Sequence, residues 1–100
     1  MDNQQSQQQK QQIKIDLKDP FPGAEYANFM HPIFSKEEFV LMFANVVAGK
    51  GRVVGKIMTN PGHLKRIIKS LEQVIKQYED KFGNVDIADS PKEEIGFKAE

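Results

Sequence analysis

The chain has 100 residues, of which fourteen are basic and fourteen acidic, and it contains no cysteine. The charge balance excludes a global field drawing it to nucleic acid or anionic membrane, and the missing cysteine excludes disulfides, thiolate zinc sites and cysteine nucleophiles. At this length one small domain with a thin core is expected, and association with a second copy is an economical aid to its stability.

Residues 1–12 hold seven glutamines and no apolar side chain after Met1. Such a segment cannot bury enough surface to offset its ordering entropy, so a disordered, solubilising tail is expected. It lacks the apolar stretch of a signal peptide, and no run in the chain approaches the roughly 20 apolar residues of a membrane span. A cytoplasmic protein with no membrane association is the resulting expectation.

From Ile13 to Lys18 the apolar residues Ile13, Ile15 and Leu17 alternate with Lys14, Asp16 and Lys18, the period of a half-buried strand. Asp19, Pro20, Pro22 and Gly23 break it. A second strand is expected from Tyr26 to about Phe34, with Ala27, Phe29, His31 and Ile33 on one face and Tyr26, Asn28 and Met30 on the other. Pro32 inside it has no N–H to give to a ladder, which argues for an edge position or a bulge.

Ser35 to Val47 supports two readings. Ser35 and Glu38 have capping-box spacing, and Phe39, Met42, Phe43, Val46 and Val47 fit a helical stripe. Phe39, Leu41 and Phe43 also fit one face of a strand whose other face holds Val40, Met42 and Val46, and the β-branched and aromatic content tips the reading to strand, with Ser35 to Glu38 as a turn. Ala48 to Gly51 then reads as a hairpin loop leading to a fourth strand over Arg52 to Met58, with Val53, Gly55 and Ile57 sharing a face.

The clearest element is a helix from Pro61 to Phe82. Leu64, Ile67, Ile68, Leu71, Val74, Ile75, Tyr78 and Phe82 recur at intervals of three and four and form one stripe. Asn60 is placed to cap it, Pro61 suits the first helical position, and Gly83 can end it in a left-handed conformation. Residues 84–100, with five acidic and two basic side chains, read as a flexible acidic tail. Ile95 and Phe97 stand isolated in it.

The fold expected is α+β: a four-stranded antiparallel meander with one C-terminal amphipathic helix packed on one face, all within residues 13–83. The strand from Phe39 to Val47 is apolar on both sides, so one helix leaves part of it uncovered and a homodimer is expected.

Tyr26-Ala27-Asn28, Ser35 with Glu38-Phe39, Pro61, Lys65 with Leu71, Tyr78-Glu79 and Phe82-Gly83 together resemble a family of small prokaryotic proteins known only as a domain of unknown function. The resemblance spans about residues 13–83. Members of that family often carry an acidic residue near the position of Met42, and this chain does not. No activity is implied. The topology, several strands and then a helix with a Leu71-x-x-Val74-Ile75-x-x-Tyr78 pattern, is also similar to single-stranded nucleic-acid-binding domains of the Pur and Whirly type, although fold likeness does not establish function.

Between Asn45 and Leu71 there is no acidic residue, while Lys50, Arg52, Lys56, Lys65, Arg66 and Lys69 are all basic. If the hairpin loop and the helix start lie together, these six form a patch suited to phosphate contacts, with Phe29, Phe34 or Tyr26 available to stack on unpaired bases. Against that stands the ordinary solvated face of an amphipathic helix. His31 and His63 have no carboxylate or second histidine at ligand spacing, and no nucleophile elbow, phosphate-binding loop or dinucleotide fingerprint occurs. The expectation is therefore a non-enzymatic binding module, without cofactor or metal, that is dimeric and takes single-stranded nucleic acid through the six cations. The alternative is a homo-oligomeric scaffold or adaptor whose partners are proteins.

Overall fold

A computed structural model describes residues 13–89. The fold is α+β. Three strands, β1 (Phe29–Phe34), β2 (Phe39–Val47) and β3 (Lys50–Thr59), form an antiparallel sheet in the order β1-β2-β3, and a 22-residue helix, α1 (Pro61–Phe82), follows.

The central position of β2 decides its conformation. Its side chains meet β1 and β3 on both flanks, with Leu41 opposite both Pro32 and Ile57, and Met42 opposite both His31 and Lys56. A residue with apolar neighbours on each face gains more from a pleated surface than from a helical stripe, so the strand reading prevails over the capping-box one. The Ser35 N–H donates to the Glu38 carbonyl at 2.9 Å to close the β1–β2 turn, and the rings of Phe34 and Phe39 flank it at 5.7 Å. Pro32 lies in the edge strand β1, where its missing donor costs nothing.

The β2–β3 hairpin is tighter than the loop expected over Ala48 to Gly51. Val47 pairs with Lys50, leaving Ala48 and Gly49 as a two-residue turn with φ of 52° and 78°. Positive φ at both central residues is the turn whose twist matches the flanking strands.

Farther along, Phe43 pairs with Gly55 but Ala44 pairs with Val53, so Val54 is an extra residue and β3 bulges there. The bulge corrects the expected faces of this strand. Arg52, Gly55 and Ile57 lie on the side of Phe43, while Val53, Lys56 and Met58 lie on the side of Met42.

Two further expectations are corrected. The sheet has three strands, not four: residues 13–20 adopt no regular secondary structure, and Ile13, Ile15 and Leu17 are 85%, 73% and 89% exposed. Alternation gives a segment a strand's pattern, but a strand exists only where a neighbour takes up its N–H and C=O groups. Nor is the helix packed on one face of the sheet. None of its residues is buried, and Leu71, Val74 and Phe82 remain 61%, 58% and 66% exposed. Only the first turns, where His63, Leu64 and Ile67 are half-buried, are shielded in this way; beyond them only Glu79 is.

The core is correspondingly small. Among the described residues the buried hydrophobic side chains are Met42 and Ala44, both from β2 and on one face of the sheet. The glutamine-rich segment 1–12 lies outside the described residues, as do residues 90–100 with Ile95 and Phe97. Residues 83–89 follow the helix without regular secondary structure.

Candidate functional site

The six cations singled out in the sequence do not converge. Lys50 begins β3 beside the hairpin turn, and the helix starts past the other end of the same strand. Ten residues of extended chain put the two ends roughly 30 Å apart. The bulge at Val54 divides them further, because Arg52 projects with Phe43 while Lys56 projects with Met42, on the opposite face. Arg52 is also engaged: its guanidinium donates to Glu25 at 3.1 Å in an exposed ion pair.

Lys65, Arg66 and Lys69 do lie together, on the first turns of α1. That turn contains no acidic residue, and none of the three forms an ion pair with any described residue. Cations at the positive end of a helix dipole are unfavourable by a few tenths of a kcal/mol each unless solvent or an anion compensates. A shallow, open hollow beside them is lined by His63, Arg66, Ile67, Lys69 and Leu71 among others. It is a dent in the flank of one helix and does not enclose a small molecule. Among the described residues no group of three or more His, Asp or Glu is arranged to hold a metal ion. No helix among the described residues is long and apolar enough to cross a membrane.

Much of the sequence skeleton that suggested a family turns out to be architectural. The Asn28 side chain pairs with the backbone of β2 in both directions: its Nδ2 donates to the Val46 carbonyl and its Oδ1 accepts from the Val46 N–H, each at 2.9 Å. Its own N–H donates to the Ala44 carbonyl at 3.1 Å, so one residue extends the β1–β2 ladder beyond the end of β1. Asn60 accepts from the His63 N–H at 2.7 Å as the helix cap, with Pro61 in the first turn, and His63 Nδ1 lies 2.8 Å from Thr59 Oγ1. At the far end the Glu79 carbonyl accepts from Gly83, whose φ is 99°, and the Glu79 carboxylate accepts from the Val85 N–H at 3.0 Å. The rings of Tyr78 and Phe82 meet one turn apart, with centroids 4.9 Å apart and planes tilted by 45°. Sequence reading placed Asn28 in a strand and in the Tyr26-Ala27-Asn28 part of the family skeleton, and gave its side chain no role.

What dominates the surface is apolar. On α1, Ile68, Leu71, Val74, Ile75, Tyr78 and Phe82 are all about half exposed or more, and on the sheet Met30, Ile33, Phe34, Ile57 and Met58 are exposed as well. A monomeric soluble protein rarely shows a contiguous apolar patch beyond a few hundred Å². The helix stripe alone extends for about 27 Å along the axis, from Leu64 to Phe82.

The family described as protein of unknown function (DUF3467) matches residues 1–87, and the chain belongs to that family. The match takes in the glutamine-rich segment, which the resemblance read from the sequence left outside. No curated protein and no solved structure, of the Pur or Whirly type or any other, matches the chain.

Proposed function

We propose, with membership of that family as the premise, that this chain is a non-enzymatic interaction module that works as a homo-oligomer, its apolar surface serving protein–protein assembly. The observation that carries this reading is the mismatch between core and surface. Two buried hydrophobic side chains, Met42 and Ala44, stand against six half-exposed apolar residues on one helix face. Fully burying a large apolar side chain is worth about 1.5–3 kcal/mol, so the free chain leaves most of its available stabilisation unused. A second copy of the same surface is the simplest complement, since a two-fold interface needs only one patch to be self-complementary.

Sedimentation over a concentration series tests it. A dimer or higher oligomer at low micromolar concentration is expected, with Leu71→Glu shifting it toward monomer by placing a charge in the stripe. A clean monomer at high micromolar concentration would remove the reading.

Nucleic-acid binding is the second reading, favoured by one specific feature: the cations Lys65, Arg66 and Lys69, which form no ion pair with any described residue, at the start of a helix whose first turn has no acidic residue. Because the hairpin cations lie at the other end of β3, the cluster to test is the one on the helix. Anisotropy titration of a labelled single strand in low salt should then show binding that Arg66→Glu with Lys69→Glu weakens, while Lys50→Glu leaves it unchanged. Absence of binding below about 100 µM, the weak end of ordinary non-specific affinity, counts against this reading.

A further inference from the structure

The apolar positions of α1 have a finer pattern than amphipathicity requires. Leu64, Ile68, Leu71, Ile75, Tyr78 and Phe82 are separated by steps of four, three, four, three and four. That is the 3.5-residue period of a helix seam that pairs with another helix, with Ile68, Ile75 and Phe82 at one seam position and Leu64, Leu71 and Tyr78 at the other. Beyond the half-buried Leu64, the structure leaves that seam about half exposed or more, from Ile68 to Phe82.

We infer that α1 pairs with α1 of a second copy in antiparallel orientation, making the helix seam the dimer interface; this rests on the homo-oligomer reading and specifies its geometry. Two features favour antiparallel over parallel. The first is size. The seam is aliphatic from Leu64 to Ile75 and aromatic only at Tyr78 and Phe82, so a parallel pair sets Tyr78 on Tyr78 and Phe82 on Phe82 at one end. An antiparallel pair instead sets Phe82 against Leu64, Tyr78 against Ile68 and Ile75 against Leu71, giving layers of even thickness along the whole seam.

The second is charge. The residues flanking the seam on one side are Lys65, Glu72 and Glu79, and on the other Ile67, Val74 and Lys81. In a parallel pair each Glu72 and Glu79 lies against Ile67 or Val74 of the other copy, with no cation opposite. In the antiparallel pair Lys65 of each copy lies opposite Glu79 of the other, twice by symmetry, and Val74 meets Val74 at the centre. The single Glu72–Glu72 approach on the axis is outnumbered. Glu79 uses Oε2 for the Val85 N–H, which leaves Oε1 for the opposing lysine. Arg66 and Lys69 fall on the outer side of the pair.

Cysteine crosslinking in the full chain tests the geometry cleanly, because the chain has no cysteine of its own. Ile68→Cys and Tyr78→Cys replace residues that are each 48% exposed, so neither change depletes the core, and circular dichroism of each variant verifies the helix. In the antiparallel pair the two Ile68 positions are roughly 15 Å apart along the axis, whereas Ile68 of one copy shares a layer with Tyr78 of the other. Under mild oxidation the expected result is a mixed disulfide when the two variants are combined and no disulfide from Ile68→Cys alone. A disulfide from Ile68→Cys alone assigns a parallel pair and overturns the inference. No crosslink in the mixture, with the wild-type chain sedimenting as a dimer, overturns the helix seam while the homo-oligomer reading stands. A monomeric wild-type chain overturns both.

Discussion

Ala48 occupies a position that suits glycine or asparagine. Its φ of 52° lies in the left-handed region, where a Cβ crowds the following carbonyl at a cost of about 1–2 kcal/mol. Asparagine followed by glycine is the preferred pair for this two-residue turn, and Gly49 already supplies the second member. Ala48→Asn is therefore expected to stabilise the fold by about 0.5–1 kcal/mol, read as a higher urea midpoint with an unchanged slope. Asn28 works in the opposite sense. Its side chain satisfies both backbone groups of Val46, so Asn28→Ala removes two hydrogen bonds at an exposed edge and should cost about 1–2 kcal/mol. Asn28→Asp is the control: it keeps the acceptor for the Val46 N–H but sets a carboxylate oxygen against the Val46 carbonyl, so it should not recover the stability lost in the alanine variant in the same denaturation experiment. Asn45 is left unsatisfied. Asn45 Oδ1 is buried without a hydrogen-bond partner among the described residues, and such a group costs about 1–3 kcal/mol, so an apolar replacement of similar size there is expected to be neutral or stabilising.

At the scale of elements, what could be read from the sequence is what local chemistry decides. The helix was legible at both ends, because Asn60 and Gly83 act through hydrogen bonds within a few residues of themselves and Pro61 through its own fixed φ. Asn60→Ala should accordingly cost about 1 kcal/mol, seen as earlier loss of helical ellipticity on heating, whereas Asn60→Ser should cost less. The edge position of β1 was legible for the same kind of reason, since Pro32 lacks a donor wherever it stands. Three features depended on distant partners and were not legible. Ile13 to Lys18 has a strand's alternation, but no strand among the described residues takes its backbone groups. The bulge at Val54 arises from how β3 pairs with β2, and it sends Lys56 to the other face from Arg52, which a strict period of two could not anticipate. The helix stripe announced that some surface must cover it, without saying whose. A stripe is equally apolar whether its complement lies in the same chain or in another, so the expectation that α1 would lie on its own sheet was a choice between two solutions that the sequence does not separate.

For the whole molecule, the thin core has a thermodynamic signature. If the apolar surface of α1 and the sheet is buried only on association, folding and assembly are coupled, and unfolding releases separate chains. Mass action then makes the melting temperature depend on protein concentration, which a monomeric two-state domain never shows. Each tenfold rise in concentration favours the assembled state by about 1.4 kcal/mol. For a dimer of this chain length that corresponds to a rise of roughly 3–6 °C in melting temperature. Differential scanning calorimetry at concentrations spanning two decades measures it directly. The same coupling separates Leu71→Glu from Asn28→Ala: the first should lower the melting temperature most at low concentration, where dissociation is already favoured, and the second should lower it at every concentration while leaving the slope intact. A melting temperature independent of concentration would mean that the exposed stripe contributes nothing to the stability of the fold, and the chain's surface would then need a different partner from a copy of itself.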